Sequence, residues 1–323
     1  MRDPRANPTQ KADGGAFLAP ELAARVRQIH IRTHRLVSTA LSGGYRSTFR
    51  GQGVEFEEVR PYQPGDDVRS IDWNVTARTG EPFIKTYREE RELSLELLVD
   101  TGLSMDFGSR RWTKREAAAQ LAALIAYVAV EHQDRVGLTL FGESPQLHLK
   151  ARKGGKHIMR IVREIMAAPV SPSSKPNGRS DLAAVLKQAE RTLHRRSLVF
   201  LFSDFLANED EAQREAWSES LSRIARRHDV ICVRLSDPFE EELPPAGVFS
   251  MYEMGSGRVI EVDSRSGPVR ESWRLAARER RARLDEVLSR ARVGRIEVSV
   301  GGDLADPVVR FFRRREVRHA GGR

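Results

Sequence analysis

The sequence predicts an α/β fold, a doubly wound, mostly parallel sheet preceded by an N-terminal helix and a β extension. Two observations carry this. From about Arg115 onward, short apolar runs alternate with longer stretches of helical periodicity, the pattern that builds a parallel sheet covered by helices. Two apolar runs, "LELLVD" just before that stretch and "VFLFSD" within it, stop on an aspartate, as strands do when their carboxyl ends open on a crevice. A chain of 323 residues suffices for one large α/β domain with an attachment.

Residues 1–16 are polar and contain Pro and Gly, so a disordered lead is expected. Residues 17–92 form an extension that opens with "PELAARVRQIHIRTHRLVSTAL", a Pro-Glu start followed by apolar residues at helical spacing. His30 and His34 sit one turn apart in it, but no nearby acid or cysteine completes a zinc site, and they read as a solvated pair. The main domain spans 93–314. After "LELLVD" come the helix "REAAAQLAALIAYVAVEH", the strands "RVGLTLFG" and "QLHLKAR", and the helix "GGKHIMRIVREIM". A Ser/Pro-rich loop, "SPSSKPNG", leads to the helix "SDLAAVLKQAERTL", the strand "SLVFLFSD", an acidic amphipathic helix and the strand "DVICVRLSD". Turn-rich residues near 238–265 read as a β-hairpin insertion. A long Arg-rich helix, the strand "GRIEVSV", a short helix from "DLADPVV" and a basic tail, 315–323, complete the chain.

Composition narrows the function classes. The single cysteine, Cys232, lies in an apolar strand and reads as an inert core thiol in a reducing compartment. The first residues lack the apolar core of a signal peptide, and the most apolar stretch, 117–130, is shorter than the roughly 20 residues of a membrane helix. A cytoplasmic location without a membrane span is expected. The formal net charge of +9 raises a nucleic-acid reading, but only eight of the 54 basic residues are lysines. The arginines are interspersed with acids rather than striped, which favours solvated or partner-facing surface.

A carboxylate at the end of a buried strand is costly unless paired, protonated or bound to a cation. Asp100 and Asp204 end two such strands, and as neighbours at the switch point they would enter one crevice. Ser180 opens a helix between them in sequence. Asp100, Ser104, Ser180 and Asp204 would then form an all-oxygen shell suited to Mg²⁺ or another divalent cation. The alternative is that both carboxylates accept backbone N–H groups at helix starts.

At these residues the chain resembles a von Willebrand factor A-type domain, a Rossmann-type fold whose metal-ion-dependent adhesion site reads Asp-x-Ser-x-Ser, then Thr, then Asp. Here the first element is "DTGLS", so Gly102 replaces the first serine, and Ser180 stands in the place of the threonine. The resemblance thus implies a degenerate site. In that mechanism an acidic residue of a partner completes the cation's open position.

Upstream, "GQGVEFEEVRPYQPGDDVRSIDWNVTARTGEPFIKTYREERELSLELLVDTGLSM" resembles the signature of domain-of-unknown-function family 58, the von Willebrand A-like proteins associated with MoxR-type AAA+ ATPases. The later "FLFSDF", "LSDPFEEELPPAG" and "VVRFFRRR" resemble it too. The implied partner is a MoxR-type AAA+ ATPase, with other von Willebrand A-type proteins as further candidates, in chaperone-like maturation or complex assembly. Read from its residues, the signature is a turn with an ion network. Pro64 and Gly65 preset the turn, Asp66 caps the short helical piece that follows, and Ile71 and Trp73 anchor it against the sheet. Arg60, Arg69 and Arg78 alternate with Asp66, Asp67 and Asp72, as in a clasp between extension and sheet domain, or a docking surface.

Enzyme readings have less support. "ARKGGKH" has neither the spacing nor the hydroxyl of a phosphate-binding loop, and no "GxSxG" elbow occurs. A metal-dependent hydrolase using Asp100, Asp106 and Asp204 lacks a marked general base. The expectation is a non-enzymatic interaction adaptor, with a basic nucleic-acid-binding protein as the first alternative and the hydrolase as the second.

Overall fold

The computed structural model describes residues 55–88, 93–169, 179–206, 211–253 and 258–320, together with Ala24, residues 26–29 and Thr33. The lead 1–16, His30, His34 and the loop "SPSSKPNG" lie outside the described residues.

Six strands form the central sheet: β3 (Ser94–Asp100), β4 (Arg135–Phe141), β5 (Pro145–Arg152), β6 (Leu198–Ser203), β7 (Asp229–Ser236) and β10 (Gly294–Ser299). Their order is β10-β7-β6-β3-β4-β5, with all neighbours parallel except the edge pair β4 and β5. The chain therefore starts in the middle, moves outward through β4 and β5, then returns to the other side of β3 with β6. The order reverses between β3 and β6, which is where the carboxyl ends of parallel strands part to leave a crevice.

Continuous apolar runs form these strands because both faces are covered. On one face Leu95, Leu97, Val99, Phe200, Phe202, Val233 and Ile296 join a core with helices α2 (Lys114–Glu131), α3 (Gly155–Ala167) and α8 (Ala305–Ala320). On the other, Leu98, Val199, Leu201, Val230 and Cys232 join α4 (Leu182–Thr192), α5 (Glu211–Arg227) and α7 (Gly267–Arg290). The Cys232 thiol is pushed up to about 12 by burial, which makes it inert. Helix α2 is apolar on nearly every side and correspondingly buried, the pattern of a core helix and not of an amphipathic surface one. Val26 and Ile29, in the helical N-terminal segment, belong to the same cluster.

The extension makes a sheet of its own, β1 (Glu55–Pro61) antiparallel to β2 (Phe83–Arg88), with helix α1 (Trp73–Thr79) between them. The insertion is a short helix α6 (Pro238–Glu241) followed by the hairpin β8 (Val248–Glu253) and β9 (Arg258–Asp263). The last helix is longer than the sequence pattern suggests and takes in most of the basic stretch assigned to a tail. Val308 and Phe312, one turn apart, seat it in the core. Arg310 pairs with Asp306 at 2.6 Å, and Arg315 pairs with Asp229 across to β7. Among the described residues no helix is long and apolar enough to cross a membrane.

The buried acid Glu96 lies away from the crevice. Glu96, on β3, accepts a 2.8 Å hydrogen bond from Thr139 Oγ1 on β4. Gly137 makes room for it, since a Cβ there would lie 2.1 Å from Glu96 Oε2. Burial pushes the Glu96 carboxyl up to about 8, and burial holds the nearby His148 below its usual range. Near neutrality both are therefore uncharged, and their 3.7 Å approach is no ion pair. A carboxyl whose folded pKa exceeds its unfolded one costs stability as pH rises between the two values. Stability should therefore fall from pH 5 to pH 8, by a few kcal/mol at ~1.4 kcal/mol per pKa unit, and the melting temperature with it. Glu96→Gln should flatten this slope and melt higher than wild type at pH 8. A slope unchanged in Glu96→Gln would assign the pH dependence elsewhere.

Candidate functional site at the carboxyl edge of the sheet

Asp100 at the end of β3 and Asp204 just past β6 meet at the switch point, both buried. Asp100 Oδ1 accepts from Ser180 Oγ at 2.5 Å and from Gly102 N–H at 2.8 Å, and Oδ2 accepts from Ser203 Oγ at 2.7 Å. Asp204 Oδ1 accepts from Leu206 N–H at 3.1 Å, and Ser104 adds a side-chain hydrogen bond to the same carboxylate. Asp100, Ser104, Ser180 and Asp204 are thus brought together. The backbone-acceptor reading also holds in part, because each aspartate takes the N–H two residues ahead.

Asp204 Oδ2 faces a residue absent from the sequence-based shell. The Lys114 ammonium donates to it at 2.6 Å and also to Glu240 Oε1. Lys114 is 0 % exposed, and its Nζ lies 6.0 Å from the centroid of the Phe107 ring. Lys114 opens α2, where Thr113 and Glu116 form a capping box with reciprocal bonds of 3.1 and 3.0 Å. Glu240 is brought in by α6, whose cap Asp237 follows β7 and accepts from Ser109 N–H at 2.6 Å and Ser109 Oγ at 2.5 Å. Three strand ends therefore supply acids to this edge.

The electrostatics follow from depth and distance. Burial, then the Asp204 charge, pushes the Asp100 carboxyl up to about 6, against its three hydrogen bonds. Burial works the same way on Asp204, but the Lys114 charge and hydrogen bond outweigh it, so that carboxyl lies below its usual range. Burial lowers Lys114, yet the charges of Asp204 and Glu240 hold it above its ordinary value. The cation at this edge is an ammonium.

Lys114 carries a signal that sequence reasoning passed over. A lysine in the first turn of a helix opposes the helix dipole and is unfavourable there unless an anion faces it. Lys114 and Arg115 do this together at the start of an otherwise apolar helix. Arg115 is also buried and pairs with Asp106 at 2.7 Å.

The signature of the extension is assembled differently from expectation. Arg60 does grip Asp66, with bonds of 2.9 and 2.7 Å. Asp66 also accepts from Gln63 N–H at 2.8 Å, closing the Pro64-Gly65 turn, where Gly65 has φ +110°. The helical piece is capped by Asp67 instead of Asp66, because the side chain of Asp66 is spent on Arg60. Asp72 caps α1 through Asn74 and Val75 N–H, and Arg78 Nε donates to Asn74 O within the same helix. Arg69 contributes its backbone N–H to Asp67. Ile71 bridges Ile84, but Trp73 is 70 % exposed and anchors nothing against the sheet. Its place as first residue of α1 turns it to solvent, and each of these bonds joins two residues of the extension.

Gly102 leaves the space that the Ser180 hydroxyl occupies. Its φ of −60° is open to any residue, but a Cβ would stand 2.3 Å from Ser180 Oγ and 3.1 Å from Asp100 Oδ1. A serine there would therefore displace Ser180, instead of adding the missing adhesion-site oxygen. Gly102→Ser should destabilise the protein by roughly 1–3 kcal/mol, the usual cost of overpacking. In a Ser180→Ala background the added cost should be smaller, which thermal melts of the four-member cycle would measure. Additive effects would contradict the steric account.

The family model described as "Protein of unknown function DUF58" matches residues 58–283. An uncharacterized protein of Mycobacterium tuberculosis (strain ATCC 25618 / H37Rv) is 31 % identical over 296 residues, covering 92 % of this chain and 90 % of that one. An uncharacterized protein of Mycobacterium avium is 27 % identical over 175 residues, 54 % of this chain and 96 % of its own. Solved structures that resemble it include an aerotolerance-related membrane protein from Bacteroides fragilis, 15 % identical with TM-score 0.45, covering 70 % of this chain and 99 % of that one. The SpRpn10 VWA domain is 13 % identical with TM-score 0.39, covering 68 % and 94 %. A von Willebrand factor type A protein from Catenulispora acidiphila is 11 % identical with TM-score 0.36, covering 72 % and 43 %. On the length of the family match and the identity of the mycobacterial relative, the chain belongs to the DUF58 family of proteins of unknown function.

Proposed function

We propose that this chain is a non-enzymatic interaction adaptor that presents the carboxyl edge of its sheet to a protein partner. The observation that carries the reading is an apolar rim around a self-neutralised crevice. The turn after Asp100 exposes Leu103 (39 %) and Phe107 (40 %), and Leu103 borders a cleft of about 590 Å³ with a mixed lining, Leu140, Leu147 and Pro169 beside Glu143, Gln146 and Glu164. Exposed apolar residues grouped beside a concavity favour a protein contact over a small charged substrate. The polar groups described within the crevice bond one another: the Ser180 and Ser203 hydroxyls donate to Asp100, and the Lys114 ammonium to Asp204 and Glu240.

The resemblance of the signature makes a MoxR-type AAA+ ATPase the proposed partner, with the pair acting in chaperone-like maturation or complex assembly. Since the Lys114 charge is already taken by Asp204 and Glu240, recognition falls to the apolar rim. Two alternatives lose support from particular pairs. Arginines on α7 and α8 face acids of their own, as in Arg274–Glu271, Arg290–Glu286 and Arg310–Asp306, which leaves less charge for a phosphate backbone. For the hydrolase reading, Asp106 is held by Arg115.

The test is titration calorimetry of the full chain with a purified MoxR-type ATPase. Leu103→Asp, which alters an exposed side chain, should weaken binding at least tenfold, about 1.4 kcal/mol, without changing the melting temperature. Unchanged affinity in Leu103→Asp would remove the rim from the interface, and no binding of the wild type would remove the partner.

A further inference from the structure

We propose that the carboxyl-edge crevice is a metal-free site whose resident cation is the Lys114 ammonium, held between Asp204 and Glu240. Three observations fit an ammonium and oppose a metal. First, Lys114 Nζ is 2.6 Å from Asp204 Oδ2, whereas Mg²⁺ on that oxygen would sit about 2.1 Å from it, within the space the ammonium fills. Two cations on one carboxylate oxygen repel, and Lys114 has no exit, being fully buried with its chain anchored in the first turn of α2. Second, both Asp100 oxygens already accept hydrogen bonds from hydroxyl and amide donors, which a metal ligated there would have to rearrange. Third, the serine that supplies a ligand in a complete adhesion site would meet the Ser180 hydroxyl at position 102, so it could enter only if that hydroxyl turned away from Asp100.

The ammonium does structural work that a diffusible ion would do only when bound. It joins Asp204, at the end of β6, to Glu240, on the helix that leads into the β8–β9 insertion. The connection is permanent and independent of ionic conditions. Removing the ammonium would leave Asp204 and Glu240 facing an uncompensated space with Ser104 and Asp100 nearby, which is an oxygen-rich set that a hard cation can neutralise.

The inference is independent of any partner, so its test uses the full chain alone and its failure is distinct from a failure of the binding experiment. Thermal melts are recorded in chelator and then with millimolar MgCl₂ or MnCl₂ against NaCl of matched ionic strength. Wild type should show no saturable rise in melting temperature with either metal. Lys114→Ala should melt lower in chelator and gain a saturable rise of several degrees with Mn²⁺, which adding Asp204→Asn should abolish. If Lys114→Ala is unfolded in chelator, recovery of its circular dichroism on adding Mn²⁺ is the equivalent expected result. A saturable rise in wild type that Asp204→Asn abolishes would overturn the proposal. So would a Lys114→Ala protein that neither melts higher nor refolds with metal.

Discussion

The crevice of this protein depends on one buried ammonium. Lys114 ties the start of α2 to the end of β6 and to the helix after β7, elements separated in sequence by 90 and 126 residues. A charge at that depth is tolerable only with its partners in place, and truncating one member of such a pair costs about 3–5 kcal/mol because the others are left uncompensated. The Asp204 carboxylate therefore stays ionised at full burial, while Asp100 beside it, held by hydroxyls and an amide, is pushed toward its neutral form. The two strand-end acids look alike in sequence, and their carboxyls shift in opposite directions because only one of them touches the lysine.

Much of this was legible beforehand, and the exceptions have physical reasons. The sheet could be read because strands covered on both faces must be continuously apolar, and the crevice because two of them end on a carboxylate. The cation could not be read from spacing, since Lys114 reaches Asp204 and Glu240 only through the fold. Its one local mark is a lysine at the wrong end of a helix. Trp73 shows the opposite failure, an aromatic in a motif taken for an anchor that the phase of α1 turns to solvent. In α8, charge pattern suggested a tail, while two apolar residues one turn apart were enough to dock a full helix.

Membership of the DUF58 family fits this division between a regular sheet and specialised edges. The extension closes on itself through Arg60 and Asp66, and the insertion enters the crevice through Glu240. All three residues lie within the stretch the family model matches. The proposed adaptor role draws on the edge that results: charges satisfied internally, with Leu103 and Phe107 exposed around them.

The most direct test of the central claim is an anomalous-difference map from crystals of the full chain grown in millimolar MnCl₂. An internal cation predicts continuous density from Lys114 Nζ to both Asp204 and Glu240, with no manganese peak between Asp100 and Asp204. A manganese peak there, with the lysine side chain displaced from Asp204, would contradict it.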